Sequence, residues 1–529
     1  MNASTSPSNQ GALASLVRAT RSWNTGAVAL LSFSSGLPLG LVWYSIPDWM
    51  RDIGVDIRVV GLFTLAQAPW AFKVVWSPLM DRYVPPFWGR RRGWMAVTQV
   101  ALAVLGLLLA GVGDQPDAIW VVGALALAIA LASASQDIAI DAYAVEVLRT
   151  EEQGAAVGAR VALYRAAMVV AGGAAISAAA RVGWPAVNVL LALCYVPMLV
   201  ITWKAPEPEA EAPAPRTLRE AVWQPFLGFL ARHRALEILA FVLLYKLADQ
   251  LAQSLTRPFL IDMGYNADQR GIALATISAA ATIGGAFMGG WMTTLLGLGH
   301  ALWISGLVQI FSNAGYFLVS RLGEPNPPFM YAAAGFELFT SGLGTGAFSV
   351  LLLRMTQKRF SATQYALFSS LFALPRVLAG PISGFAVDAL GWSTFFLATM
   401  VLGIPGLVML ARFVPIGVRE PEFPVEAVGR QGPLLSTAAL AARGVAGGLV
   451  SGVGTLGLVS FLEALSTLRE TPDRGFDLGA AVWRVAHPVD MTEWLQLFGI
   501  VACAVIGGLF VAAAVAARRA AGGAGRGAT

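Results

Sequence analysis

The stretch Ser133–Tyr143 reads SASQDIAIDAY, and it places two aspartates inside a segment that is otherwise apolar from Ile119 to Val147. A segment of this length and hydrophobicity is typical of a helix that crosses a membrane. A carboxylate near the bilayer centre costs roughly 2.5–3.5 kcal/mol on insertion scales, so such residues usually face a polar cavity and mark a transport pathway. Because Asp137 and Asp141 are four residues apart, they share one face of a helix. The stretch therefore predicts a membrane helix with one functional polar face.

The remainder of the chain has the composition of a multi-pass membrane protein. Of its 529 residues, 57% are hydrophobic and 13% are charged, whereas soluble domains contain about 25% charged residues. Apolar segments of about 20 residues recur, as the thickness of a bilayer requires, and the alternating pattern of membrane β-strands is absent. The sequence predicts an all-α integral membrane fold with fourteen spans, at residues 26–50, 59–80, 93–113, 118–147, 157–181, 185–203, 236–260, 270–297, 300–319, 328–354, 363–388, 392–414, 435–465 and 494–517.

The distribution of arginine and lysine determines the predicted orientation. Basic clusters such as Arg90–Arg92 and Arg518–Arg519 lie on the same side as the N-terminal tail, which predicts that both termini are cytoplasmic. The net charge of +5 follows from this bias and does not indicate nucleic-acid binding. The two cysteines lie inside predicted spans and the three histidines are scattered, so we expect no disulfide, metal site or cofactor.

Two sets of residues recur at a nearly constant distance along the chain. The tetrapeptide RDIG at residues 51–54 is matched by IDMG 210 residues later, and Gly183-Trp184 is matched by Gly391-Trp392 after 208 residues. A same-direction repeat of six spans is the signature of transporters whose two halves enclose the substrate site. We therefore predict a cytoplasmic tail at 1–25, six-helix bundles at 26–203 and 236–415, a cytoplasmic linker with an amphipathic helix at 204–235, a second linker at 416–433, an extra two-helix segment at 434–517 and a disordered tail at 518–529.

Residues 77–94, SPLMDRYVPPFWGRRRGW, join the second and third predicted spans. An acidic residue followed by a cluster of arginines resembles the cytoplasmic signature loop of the major facilitator superfamily. The resemblance implies a gating loop in which Asp81, Arg90, Arg91 and Arg92 clasp neighbouring helix ends and hold one conformation. The alternative is a basic patch that only orients the chain.

Three further motifs are LYKLADQLAQSL at 244–255, ELFTSGLGTGAF at 337–348 and FSATQYALFSSL at 360–371. Together with SASQDIAIDAY and the basic loop, they resemble the AmpG muropeptide permeases of Gram-negative bacteria over all twelve core spans. The resemblance implies a 6+6 helix pseudo-repeat with two extra C-terminal helices, located in the inner membrane. It also implies proton-coupled import of GlcNAc-anhydroMurNAc-peptides from periplasm to cytoplasm for peptidoglycan recycling, with consequences for β-lactamase induction. The expected partners are the muropeptide, protons and membrane lipid, and we expect a monomer.

The acidic residues inside the spans are the candidates for proton coupling. Asp137 and Asp141 come first, because a carboxyl in a partly dry cavity can load and release a proton as access alternates. Asp249 and Glu337 are further candidates, although Asp249 lies three residues from Lys246 and could merely neutralise it. For the aspartate pair, the alternative is a permanent ion pair with Lys73 or Arg165 that locks the spans together.

The candidate substrate-binding residues suit the carboxylates, amides and sugar rings of a muropeptide. Cations hold carboxylates, glutamine amides bond to acetamido and hydroxyl groups, and aromatic rings stack on sugars. For each aromatic residue the alternative is a place in the core or against lipid. The set consists of Lys73, Arg165, Lys246, Arg376, Gln67, Gln136, Gln250, Gln253, Trp43, Tyr44, Trp70, Tyr143, Tyr164 and Tyr245.

Two other functions remain open at the level of sequence. A transporter of another anionic metabolite, such as acetyl-CoA, would use the same fold with a larger basic entrance. A membrane-embedded sensor would not need polar residues spread over both halves. An enzyme is not expected, because no nucleophile–base pair or metal motif is present.

Overall fold

The computed structural model describes residues 17–55, 68–112, 118–208, 235–421, 437–470 and 475–489, together with single positions and short stretches elsewhere. The described residues belong to two compact units, one within Met1–Val222 and Leu236–Val425 and the other within Trp223–Ala235 and Glu426–Thr529. All the regular secondary structure of these residues is helical.

The first half of the larger unit contains six helical segments. The second of them, α2, is broken into the pieces Ala68–Phe72, Lys73–Val75 and Ser77–Arg82. Pro69 and Pro78 lie in these pieces, and proline removes a backbone donor from a helix. The segments are α1 (Trp23–Asp52), α2 (residues 68–82), α3 (Arg90–Val112), α4 (Ile119–Val147), α5 (Thr150–Val182) and α6 (Trp184–Lys204).

The second half of the larger unit repeats this arrangement. Its last two segments are one helix, Ser361–Phe413, which is interrupted where Gly391 adopts a φ of 72°. We treat its two arms as separate elements. The segments are α7 (Glu237–Asp262), α8 (Asp268–Leu296), α9 (Leu298–Val319), α10 (Pro327–Met355), α11 (residues 361–390) and α12 (residues 392–413).

The smaller unit contains α13 (Thr437–Glu470) and the short helix α14 (Leu478–Ala486). Asp477 caps α14 by accepting a hydrogen bond from the backbone N–H of Ala480 at 2.9 Å. Arg484 on α14 forms an ion pair with Glu463 on α13 at 2.8 Å.

Eleven helices among the described residues are long and apolar enough to cross a membrane, fewer than the fourteen spans predicted. The predicted span at 59–80 corresponds to the broken segment α2, and its first part lies outside the described residues. The predicted span at 494–517, the amphipathic helix in 204–235, the linker at 416–433 and the two terminal tails also lie largely or wholly outside them.

The glycines of the internal repeat have matching backbone conformations. Gly54 and Gly264, which end α1 and α7, have φ values of 87° and 80°. Gly183 and Gly391, which precede α6 and α12, have φ values of 80° and 72°. Positive φ is strained for residues that carry a Cβ atom, so the repeated glycines end helices at equivalent places in the two halves.

Aromatic contacts repeat in the same way. Trp49 stacks on Trp184 with ring centroids 5.8 Å apart in the first half. Phe259, 210 residues after Trp49, packs against Trp392 at 5.1 Å in the second half. Each pair ties the end of a half's first helix to the start of its last helix.

Candidate transport site

A buried group of charges in the first half surrounds the two aspartates of α4. Lys73 Nζ lies 3.2 Å from Asp141 Oδ2 and 3.9 Å from Asp137 Oδ2. Arg160 on α5 forms an ion pair with Asp141, and the hydroxyl of Ser35 donates to Asp137. We call Lys73, Asp137, Asp141 and Arg160 the N-half charge cluster. Its two cations balance its two carboxylates.

Of the two cations that the sequence offered as partners of the aspartates, Lys73 pairs with Asp141 and Arg165 does not. The described contacts give Arg165 no ion pair with either aspartate, and Arg160 takes that place. Arg160 also lies over the ring of Tyr365 on α11, with its guanidinium carbon 5.7 Å from the ring centre. This arginine therefore links the charge cluster of the first half to a helix of the second.

Gln136 belongs to a separate polar group on the other side of α4. Its side-chain nitrogen donates to Ser34 Oγ at 2.6 Å, and Gln99 connects the same hydroxyl to Thr202. Gln136 is completely buried. In this conformation Gln136 joins α4 to α1 through Ser34, and Gln99 and Thr202 extend the hydrogen bonds to α3 and α6.

A second buried polar group joins α7 and α10 in the second half. Lys246 Nζ lies 2.8 Å from Asp249 Oδ2 and donates to the Ser341 carbonyl at 2.9 Å. Ser341 Oγ donates to Asp249 Oδ2 at 2.7 Å. Gln253 Nε2 donates to both Ser341 Oγ and Glu337 Oε1 at 2.8 Å. We call Lys246, Asp249, Gln253, Glu337 and Ser341 the C-half polar cluster.

Several aromatic candidates are part of the packing. Tyr143 is fully buried and donates to the Pro206 carbonyl at 2.7 Å. Tyr245 stacks on Phe348 at 4.8 Å and donates to the Leu302 carbonyl at 3.0 Å. Neither ring presents a free face for a sugar in this conformation.

The other candidate residues occupy more open positions. Trp43 and Trp70 form an edge-to-face pair with centroids 6.2 Å apart, and both are half-buried. Tyr44 is 44% exposed, and Tyr164 and Gln250 are half-buried. Gln67 lies outside the described residues, as does the side chain of Arg376 on α11.

The signature loop connects the two halves through Asp81. Its carboxylate accepts hydrogen bonds from the backbone N–H groups of Ala362 and Thr363 at 3.3 and 2.9 Å, and from the Thr363 hydroxyl at 2.7 Å. These residues form the first turn of α11, whose unpaired N–H groups and dipole favour an anion. Asp81 of the first half therefore caps a helix of the second.

Arg91 completes this connection. Its guanidinium binds Asp81 Oδ1 at 2.6 Å, Glu146 Oε1 at 2.8 Å and Ser361 Oγ at 2.7 Å. Arg90 and Ser361 also bind Glu146 Oε1, at 3.0 and 2.5 Å. We call Asp81, Arg90, Arg91, Glu146, Ser361 and Thr363 the interhalf latch. The sequence did not identify Glu146, although a third acidic residue in the apolar α4 was a visible signal.

Arg92 lies outside the interhalf latch and contacts the end of α6 instead. Its guanidinium donates to the Ala205 carbonyl at 2.9 Å and pairs with Glu207. It therefore fastens the loop to the chain that follows α6.

Close helix packing joins the halves at the same end. A Cβ atom built on Gly290 of α8 would lie 2.4 Å from the Cα of Gly158 on α5. Nearby, Arg354 Nε on α10 donates to Gln153 Oε1 on α5 at 3.1 Å. Both glycines are needed for this approach of the two backbones.

Removing Arg160 is expected to destabilise the folded protein. Arg160→Leu leaves Asp141 with one cation, and removing one partner of a buried ion pair costs about 3–5 kcal/mol. The melting temperature of the detergent-solubilised protein should fall, and Arg160→Leu combined with Asp141→Asn should recover part of the loss. Arg165→Leu is the matched control and should lower the melting temperature less. Equal losses for the two arginine variants would contradict this role.

Comparisons with known proteins agree with this architecture. Residues 28–364 match the family model of the Major Facilitator Superfamily. The chain is 44% identical over 387 residues to the anhydromuropeptide permease of Escherichia coli strain K12, covering 72% of this chain and 78% of that protein. The chain belongs to the anhydromuropeptide permease family of the major facilitator superfamily. It is therefore a multi-pass membrane transporter and not an enzyme.

Other relatives of this transporter extend the comparison. An uncharacterized protein of Haemophilus influenzae is 34% identical over 410 residues, covering 73% of this chain and 94% of that protein. The proton:xylose symporter XylE has a TM-score of 0.56 at 10% identity, covering 77% of this chain and 97% of that structure. The human organic anion transporter MFSD10 has a TM-score of 0.52 at 16% identity, covering 77% of this chain and 100% of that structure. At these identities the two structures show the shared fold alone.

Proposed function

We propose that this transporter imports anhydromuropeptides from the periplasm into the cytoplasm of a Gram-negative cell by proton-coupled alternating access. The observation that supports this choice of substrate is the 44% identity to the anhydromuropeptide permease of Escherichia coli. In this proposal the protein lies in the inner membrane with both termini cytoplasmic, acts as a monomer and serves peptidoglycan recycling and β-lactamase induction.

Alternating access is supported by the position of the contacts between halves. The interhalf latch and the approach of Gly290 to Gly158 both join helix ends on the side that carries the basic loop. By the positive-inside rule this side is cytoplasmic. The conformation would then be closed toward the cytoplasm, and import would require these contacts to separate.

Substrate binding is proposed between the halves at the level of the two buried clusters. Lys73 and Arg160 in the first half and Lys246 in the second bring positive groups to mid-membrane, where peptide carboxylates need partners. Trp43, Trp70 and Tyr44 remain the candidates for stacking on sugar rings. Proton coupling is proposed for the buried carboxyls Asp137, Asp141, Asp249 and Glu337.

Transport by purified protein in proteoliposomes tests the proposed function. Labelled anhydromuropeptide should accumulate inside when the external solution is the more acidic, and unlabelled anhydromuropeptide should compete. Acetyl-CoA should not compete, which separates this cargo from the anionic-metabolite alternative. Accumulation of acetyl-CoA without uptake of the muropeptide would reject the proposed substrate.

A further inference from the structure

The charges of the two buried clusters are not balanced in the same way. The N-half charge cluster pairs Asp137 and Asp141 with Lys73 and Arg160. In the C-half polar cluster Lys246 pairs with Asp249. Among the described ion pairs Glu337 has no cation, so the surplus negative group lies in the second half.

Glu337 occupies a position that disfavours a negative charge. It is fully buried, and Ala333 and Ala334 on the preceding turn of α10 belong to an apolar core. Oε1 accepts one hydrogen bond, from Gln253, and Oε2 has no hydrogen-bond partner among the described atoms. Burying a charged carboxylate without a cation costs roughly several kcal/mol. A carboxyl in such a place therefore tends to bind a proton and become neutral.

We propose that Glu337 is the proton-binding residue of this transporter and that its carboxyl carries a proton in the conformation seen here. The inference rests on the proposed function, because it names the acid through which protons drive import. Glu337 is the eleventh residue of the 29-residue helix α10, which places it inside the apolar span, about one third of the way from its start. A site at this depth can be reached from either side as access alternates.

The cation and the polar groups around Glu337 can compensate its charge when the proton leaves, whereas the carboxylate of Asp249 opposes that charge. Lys246, Asp249 and Gln253 face it from α7, Tyr316 from α9, and Thr340 and Ser341 adjoin it on α10. Ser341 Oγ is 3.4 Å from Lys246 Nζ and accepts a hydrogen bond from Gln253, so Ser341 connects Lys246 to the side chain that binds Glu337. In the proposed cycle the O–H bond of Glu337 breaks when the proton leaves and forms again when a proton binds.

A small cavity adjoins this cluster on the side of Asp249. Asp249 Oδ1 also has no hydrogen-bond partner among the described atoms. Asp249 and Gln309 line a small cavity between α7, α9 and α12 that has room for about one water molecule. Gln309 Nε2 donates to Asp249 Oδ2 at 3.5 Å, and Ser341 and Gln253 connect Asp249 to Glu337.

Glu337→Gln tests the assignment, because glutamine keeps the shape of the protonated acid but cannot release a proton. A gradient of one pH unit supports about tenfold accumulation for each coupled proton. In proteoliposomes, wild-type protein should approach this value, whereas Glu337→Gln should equilibrate labelled anhydromuropeptide without accumulating it. Glu237→Gln, at an exposed end of α7 where Glu237 pairs with Arg412, is the control and should accumulate like wild type.

A different result for these variants would assign the proton-binding role to another residue. If Glu337→Gln accumulates substrate like wild type while Asp137→Asn or Asp141→Asn loses accumulation, the inference is overturned. If wild-type protein transports no anhydromuropeptide, the proposed function fails instead.

Infrared difference spectroscopy gives a readout without any substrate. Purified wild-type protein at neutral pH should show a protonated-carboxyl C=O band that disappears in Glu337→Gln and persists in Glu237→Gln. A wild-type spectrum identical to that of Glu337→Gln in this region overturns the inference. If Glu337→Gln does not fold, Glu337→Asp tests the assignment in its place. This variant should shift both the frequency of the protonated-carboxyl band and the pH midpoint of muropeptide uptake. No shift in either would count against the assignment.

Discussion

Replacing Asp81 by asparagine is expected to shift the transporter toward a conformation in which its halves separate at the interhalf latch. The carboxylate accepts four hydrogen bonds from Arg91, Ala362 and Thr363, whereas a carboxamide has one acceptor oxygen. A hydrogen bond to a charged group contributes about 1.5–3 kcal/mol. Since about 1.4 kcal/mol changes an equilibrium tenfold, the ratio of latched to separated molecules should fall by about tenfold or more.

Spin labels on the two sides of the latch can measure this shift. Tyr83, which is 55% exposed, and Lys358 offer one labelling site on each half after the native cysteines are replaced by serine. Asp81→Asn should add a population with a longer distance between the labels. Glu237→Gln is the matched control, because Glu237 pairs with Arg412, and both residues lie in the second half. Identical distance distributions for wild type and Asp81→Asn would show that the latch does not hold this conformation.

Most of the membrane helices could be predicted because bilayer thickness determines the length of an apolar span. α4 illustrates this, since its predicted limits of 118–147 differ by one residue from the observed Ile119–Val147. α2 illustrates the opposite case, because Pro78 lies in the first turn of the third piece and interrupts a segment whose composition alone suggests one continuous helix.

The partners of the buried charges could be predicted only in part. The four-residue spacing of Asp137 and Asp141 placed both near Lys73. The sequence could not predict that Arg160 rather than Arg165 pairs with Asp141, because the two residues point about 140° apart around α5. Which of them faces α4 depends on the rotation of α5 in the bundle, and that rotation is determined by contacts with other helices.

The interhalf latch shows the same limit for contacts between distant segments. The loop motif identified Asp81 and the arginines, but their strongest connections run to Glu146 and to the first turn of α11. Ser361 and Thr363 are 280 and 282 residues from Asp81, and no local pattern indicates that they meet. Their role follows only from the packing of the two halves.

The pseudo-repeat explains why the two halves carry different chemistry on similar scaffolds. Asp137 and Asp141 correspond to Thr345 and Ser349 at the offset of 208 residues. Both hydroxyls donate to carbonyls of their own helix, at 2.8 Å each. The two acids of the C-half polar cluster, Asp249 and Glu337, occupy other positions. The duplicated scaffold therefore holds a balanced charge cluster on one side and a cluster with a surplus acid on the other.

Gly290→Ala is expected to open the same end of the transporter while leaving each half folded. The added Cβ would lie 2.4 Å from the Cα of Gly158, a backbone atom that no change of rotamer can move. Overpacking costs about 1–3 kcal/mol, and separation of α8 from α5 relieves it. The distance between labels at positions 83 and 358 should therefore lengthen, while the melting temperature changes little.

The neighbouring glycine gives the discriminating comparison. A Cβ on Gly289 would meet the Leu343 carbonyl oxygen at 2.0 Å, inside the second half. Opening the halves cannot relieve that clash, so Gly289→Ala should lower the melting temperature without lengthening the label distance. Gly123→Ala on α4, where a Cβ would meet nothing within 4 Å, should match or slightly exceed wild-type stability. If Gly290→Ala and Gly289→Ala behave alike, the α5–α8 contact acts as ordinary packing, and conformational closure must depend on the interhalf latch alone.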